Sequence, residues 1–327
     1  MKKFFIMLAA AATVVSCAKE QTISRVEGEA IEFGNIFVDN ATRADAATDP
    51  SYKASTLDHF NVYGAVDGVN IFDGDTVTRG DLALGAAWTM DASAPKQYWI
   101  AGAPYEFAAV VDATSVTTDT TTGLPTELSY TTSTQKDMLY DYVTTNGQPK
   151  DNNGLVAFQF THLLSKVKFS VTNNTEASAD NYQYVVEDIK FTNANLVGKY
   201  AVGGTWTVTD NGDYDAIDDL TVASNSTEFA AKEVLLIPGL NDDDKVGMSF
   251  TIQPQIKDKD DVWHDVGTPI VFNKEVIKLV ANTAYHFHIT VGLNNTIQFT
   301  ATALPEWENG NTDDTDQDTV NDSVILQ

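Results

Sequence analysis

The stretch Tyr285-His-Phe-His-Ile-Thr-Val-Gly-Leu293, followed after Asn294-Asn-Thr296 by Ile297-Gln-Phe-Thr-Ala-Thr-Ala303, alternates apolar and polar side chains almost without lapse. Successive side chains of an extended chain point to opposite faces, so Tyr285, Phe287, Ile289, Val291 and Leu293 share one side while His286, His288, Thr290 and Gly292 share the other. Ile297, Phe299, Ala301 and Ala303 stand in the same way against Gln298, Thr300 and Thr302. Two further stretches repeat the pattern. In Lys166 to Val171, Val167, Phe169 and Val171 oppose Lys166, Lys168 and Ser170; in Val246 to Ile252, Val246, Met248, Phe250 and Ile252 oppose Gly247, Ser249 and Thr251. Strands with one apolar and one polar face belong to antiparallel sheets packed as sandwiches, and the polar face is expected to be wet.

Further strands are expected at Ile31–Phe37, His59–Val66, Tyr105–Val111, Leu155–Phe160, Tyr182–Thr192, Lys232–Ile237 and Thr268–Lys278, each bounded by Gly, Asn, Asp or Pro clusters. No long run shows apolar residues at helical spacing. More strands than one small sandwich needs imply an all-β chain of two antiparallel β-sandwich domains joined near His162 to Ser165. The expected organisation is residues 31–163 followed by 164–307, then an acidic linker and terminal segment over 308–327. Thr114 to Thr122 reads as a Thr-rich loop.

The chain has 327 residues, 43% of them apolar and 20% charged, which rules out disorder throughout and an integral membrane protein. Acidic residues number 46 against 20 Lys and Arg, a formal charge of -26, so the phosphate-neutralising surface of a nucleic-acid binder is missing. One cysteine leaves no internal disulfide framework and no Cys-rich zinc site. That cysteine, Cys17, follows Lys2, Lys3 and the short apolar run Phe4 to Val15, the arrangement of an export signal over residues 1–16. Twelve residues are too few to span a bilayer as a helix. Val14-Val15-Ser16-Cys17 resembles a bacterial lipobox, which implies that Cys17 becomes the first mature residue and carries acyl chains. Each buried methylene contributes about 0.8 kcal/mol, so more than one chain anchors stably. Residues 17–30 then read as a tether.

Several stretches together resemble the fimbrillin family, the subunits of type V pili and the lipoproteins related to them. They are the lipobox at Cys17; Thr42-Arg43-Ala44 ahead of Leu57-Asp-His-Phe-Asn-Val-Tyr63; Asp137-Met-Leu-Tyr140; Val156-Ala-Phe-Gln-Phe-Thr-His162 running into Leu164-Ser-Lys-Val-Lys-Phe169; and Ala284 to Gly292 with Ile297-Gln-Phe299 and Trp307. The resemblance implies two transthyretin-like domains in tandem, export as a lipoprotein to the outer membrane, and proteolytic removal of the first strand. Here that strand is Ile31 to Phe37 and the cleaved bond is Arg43-Ala44, so that residues 31–43 are lost. The vacated groove would take a strand from a neighbouring subunit by β-strand addition. The expected donor is Val320 to Leu326, with Val320, Val324, Ile325 and Leu326 as pocket-filling side chains. The implied partners are other pilin subunits, a processing protease, the outer membrane through lipid on Cys17, and a host or bacterial surface ligand. The alternative is a lipid-anchored surface glycan-binding protein that does not polymerise.

No enzyme is expected and no cofactor is called for. No Gly-x-Ser-x-Gly elbow occurs, and the sole thiol is committed to lipid. His286 and His288 share a strand face at a spacing that could hold a metal, but no third ligand is evident, so they read as half-exposed residues of the wet face. Asp314-x-Asp-x-Asp318 lacks the Gly and Glu that a calcium loop needs, Thr319 and Ile325 standing there instead. Asp242 to Asp244 and Asp258 to Asp261 read as solubilising turns, and the dispersed Trp88, Trp99, Trp206, Trp263 and Trp307 as packing residues rather than a sugar platform.

Overall fold

A computed structural model of the chain describes residues 25–38, 56–80, 87–150, 152–175, 182–215, 217–239, 244–292, 297–304 and 324–326. Cys17, Arg43, Ala44, Val320 and Trp307 lie outside these. Regular structure among the described residues is strand, apart from two single 3-10 turns at Thr132–Thr134 and Asn152–Gly154, and no helix there is long and apolar enough to cross a membrane.

One sheet runs from edge to edge as β2 (Phe37–Val38), β11 (Gln159–His162), β10 (Leu139–Asn146), β7 (Pro104–Val111), β3 (His59–Val66), β4 (Val69–Arg79) and β5 (Trp88–Met90). All neighbours in it are antiparallel except β2, which lies parallel on β11. A small ribbon pairs β1 (Arg25–Ala30) with β6 (Tyr98–Ile100). The core on one face of this sheet contains Phe33, Phe60, Phe72, Trp99, Phe107, Phe158 and Phe160.

A second sheet orders β16 (Ser226–Phe229), β12 (Ser165–Asn173), β21 (Thr283–Val291), β22 (Ile297–Leu304) and β23 (Val324–Leu326), with β17 (Val234–Leu236) also on β12. A third orders β19 (Trp263–Asp265), β18 (Val246–Lys257), β13 (Tyr182–Ala201), β9 (Pro125–Thr131) and β8 (Ser115–Thr118), with β14 (Trp206–Asp215) and β15 (Leu220–Ala223) on β13 and β20 (Ile270–Ile277) on β18. The two pack face to face: Phe169 meets Phe250, Phe287 meets Phe191, and Phe299 meets Phe272, with ring centroids 5.3 to 6.4 Å apart. Phe169, Phe250, Phe287 and Phe299 are inward residues of the alternating stretches, so period-two patterning chose the buried face correctly there.

The outward face is less wet than the pattern implies. Ser170 is wholly buried, and Lys166 is 1% exposed with its ammonium 3.2 Å from Glu233. Lys168 lays its ammonium over the ring of Phe229, 4.4 Å from the centroid. Neighbouring side chains on a flat sheet face cover one another, which no one-strand pattern reports.

Three local expectations fail. Within residues 17–30, expected as a tether, Arg25–Ala30 form β1, because β6 supplies a ladder partner. Within the Thr-rich segment expected as a loop, Ser115–Thr118 form β8, because β9 beside it supplies a ladder partner. The leading segment expected as one strand is interrupted, with a single parallel bridge at Phe33–Val156 and then β2. The strands β4, β9, β10 and β14 were not anticipated; β10 is marked only by a loose alternation of Leu139, Val143 and Thr145. β9 pairs with β13, and β8 with β9, although both precede position 163, so the chain crosses from the first sheet to the third, back, and on to the second.

Candidate assembly site

The segment Ile31 to Val38 lies along the edge of the first sheet and inside its core. Ile31, Phe33, Ile36 and Val38 are buried, whereas Glu32, Asn35 and Phe37 face out. The inward positions are odd before residue 34 and even after 35, a change of phase that straight alternation forbids. Asn35 makes the change by adopting the left-handed conformation (φ 52°), which Asn tolerates better than most residues. Gly34 is buried against Leu155, whose Cδ1 would lie 2.6 Å from any added Cβ.

Backbone bonds fasten the segment on both sides. Ile31 N–H donates to Gln97 O (2.9 Å), Gly34 N–H to Val156 O (3.0 Å) and Phe37 N–H to Phe158 O (2.9 Å), while Val156 N–H donates back to Glu32 O (2.9 Å). Phe33 sits at the centre of a ring cluster, stacked on Phe158 at 5.9 Å and edge-on to Phe60, Phe72 and Phe107 at 5.8 to 6.2 Å. Burying an aliphatic or aromatic side chain contributes about 1.5 to 3 kcal/mol, so the four inward residues amount to roughly 6 to 12 kcal/mol before ordering costs. Without this segment, β11 would become an open edge beside a trough floored by Phe60, Phe72, Phe107 and Phe158.

The chain returns to the sheet at Leu57, which is wholly buried. Arg79 fixes it there: its guanidinium donates to Leu57 O (2.7 Å) and lies over Trp88 at 5.1 Å, and its own N–H bonds Asp58 O. The stretch containing Arg43-Ala44 therefore joins two anchored ends, Val38 and Leu57.

At the other end of the chain, β23 pairs antiparallel with β22, Leu326 opposite Ile297, Ile325 opposite Gln298 and Val324 opposite Phe299. The terminal Val-Ile-Leu thus occupies an edge strand of its own second sheet and leaves the first sheet's groove to the leading segment.

The histidine pair is half-buried on the outward face, as expected, and shares a hydroxyl there. Ser170 Oγ is 2.6 Å from His286 Nε2 and 2.7 Å from His288 Nδ1, and His288 Nε2 is 3.1 Å from Thr290 Oγ1. Burial pushes His286 down to about 4, with the charges of His288 and Lys168 adding to it, and burial also lowers His288. Neutral imidazoles bridged by a serine make a structural polar seam, and among the described residues no three His, Cys, Asp or Glu side chains converge on a metal position. Trp99 and Trp206 are core residues, as expected, while the Asp258 carboxylate closes its own turn by accepting from Asp260 N–H and Val262 N–H.

Fold and site together define an all-β class in which a leading strand completes a sheet from the edge. The chain belongs to the fimbrillin-like family, whose sequence profile matches residues 42–305. A fimbrial protein from Bacteroides vulgatus shares the fold at 14% identity, with 86% of this chain and 100% of that one covered and a TM-score of 0.61. A protein with a proposed role in cell adhesion from Bacteroides uniformis aligns at 17% identity over 77% of this chain and 92% of its own, with a TM-score of 0.50. No protein of curated function matches the sequence.

Proposed function

We propose that the chain is a pilus subunit, exported as an outer-membrane lipoprotein through Cys17, that loses its leading strand by cleavage at Arg43-Ala44 and is completed by a strand from a neighbouring subunit. The observation that carries the proposal is the leading segment itself. It is an edge element joined to the body by few backbone bonds, yet its four apolar side chains fill the middle of the first core. Its removal would create a strand-shaped vacancy with apolar pockets, which favours pairing with another chain. Membership of the fimbrillin-like family supports the reading.

The donor is the terminal segment Val320 to Leu326. In the single chain its last residues rest on β22; on assembly they leave that edge, carried by the acidic stretch before them. The tandem organisation, 31–163 ahead of 164–307, belongs to the same proposal, with β8 and β9 lent to the second unit. N-terminal sequencing of protein from cell surfaces tests processing: a start at Ala44 in assembled material is expected. Arg43→Ala should abolish the ladders that resist mild heating in detergent, and normal ladders from that variant would overturn the scheme.

A further inference from the structure

The three crossings between the first sheet and the other two are tied to one another at the turn Thr132 to Asp137. The first crossing passes through Asp112, whose carboxylate lies 3.2 Å from Lys136 Nζ. The second is the turn itself. The third follows His162, whose Nδ1 is 2.7 Å from Asp137 Oδ2, both side chains wholly buried, and Leu163 N–H donates to Met138 O at 3.0 Å. Adjacent residues, Lys136 and Asp137, thus grip the crossings before and after their own.

The same turn is riveted to the second and third sheets. Gln135 takes the left-handed conformation (φ 47°) and lays its amide along β17, donating to Leu235 O and accepting from Leu235 N–H, each at 2.9 Å. Thr132 Oγ1 donates to Asn195 O on β13 at 2.8 Å, and Trp206 Nε1–H donates to Leu163 O at 3.2 Å. An apolar cluster including Val110, Leu128, Leu164, Leu235 and Ala284 packs beside these bonds.

We infer that this riveted turn is the joint that keeps the first sheet in line while tension passes through the subunit, from the groove edge at β11 to the sheet that bears the tail. The inference rests on the strand-exchange reading, in which pull enters at β11 and leaves past β22. β11 runs directly into β12, and β12 holds β21 by a parallel ladder of nine residue pairs, so force from β11 reaches β22 by covalent chain and sheared ladder alone. What stops the first sheet from rotating away under that pull is the Asp137–His162 pair and the Gln135–Leu235 bonds. Asp137, His162 and Gln135 act as positioning residues.

The test is optical-trap rupture of the full chain carrying Cys17→Ser, with handles on cysteines at the exposed positions Gln159 and Gln298, so that the pull crosses the joint. A second pair, Gln159 and Thr78, keeps the pull within the first sheet. Asp137→Asn keeps the shape of the side chain and removes the charge. It should raise the rupture rate at fixed force by about tenfold or more across the joint, the rate equivalent of one charge-assisted hydrogen bond, and leave the within-sheet rate nearly unchanged. Gln135→Asn, which keeps a residue tolerant of positive φ but is too short to span both Leu235 groups, should show the same directional effect if Asp137→Asn does not fold. Equal acceleration along both axes, or none along either, would overturn the joint. Ladder formation by the unaltered chain separately reports strand exchange, so the two readings fail by different measurements.

Discussion

Replacing Phe33 by Ala tests whether the leading strand is held by its side chains or by its backbone. Phe33 is 4% exposed and touches four other phenylalanine rings. Truncating a buried Phe costs about 3 to 5 kcal/mol, partly for the lost transfer and partly for the cavity left behind. Because Phe60, Phe72 and Phe107 belong to strands fixed by other pairings, the site collapses poorly and the upper half of that range is expected. The backbone bonds at Ile31, Gly34, Phe37 and Val156 do not depend on the ring and should survive. Urea unfolding, followed by the fluorescence of Trp99, which lies 6.0 Å from Phe107, gives the magnitude. Phe37→Ala is the matched control: Phe37 is 58% exposed on the same segment and should change stability by no more than about 0.5 kcal/mol. A loss of less than about 1 kcal/mol for Phe33→Ala, or equal losses for the two variants, would show that ring burial does not hold the strand in place.

The histidines should give stability opposing pH dependences. His286 and His288 are depressed in the fold below the ordinary 6.5, so their contribution is complete above that value and is lost as pH falls, for His286 down to about 4; a ceiling of roughly 3 kcal/mol follows, and His286→Gln should flatten the acid limb of a melting-temperature profile. His59 is raised to about 9 by Asp112 and by Asp58, so its contribution is complete below 6.5 and is lost as pH rises through about 9; His59→Gln should flatten the alkaline limb. The first 43 residues carry five basic and five acidic side chains, so cleavage leaves the charge at -26. Joining like subunits of that charge should therefore be slow at low salt and accelerate as the screening length shrinks, which ladder yield against sodium chloride concentration measures. Removing the last residues from Val320 onward should abolish donation while leaving the groove able to accept, read by mixing truncated and intact chains and counting ladder steps.

The facing of the alternating strands was legible directly. A lone cysteine behind a short apolar run, a strongly acidic composition and period-two alternation need only local sequence. Phe169, Phe250, Phe287 and Phe299 were assigned inward by counting alone. The leading segment was also visible as a strand, but its break at Gly34-Asn35 was not, because the change of phase answers to Leu155 and to the bridge with Val156, more than a hundred residues away.

Alternation along one strand states which side chains share a face, because the strand's own geometry imposes it. It does not state which strand lies alongside, since ladder bonds are made by backbone groups that are alike at every residue. Tertiary structure alone therefore decided that β8 and β9 join the sheet of β13, that the terminal residues rest on β22, and that Lys166 and Ser170 are covered. Asp137 and His162 stood in separate stretches with nothing local to join them; only the return of the chain at β11 beside β10 brought carboxylate and imidazole to 2.7 Å in a site closed to water.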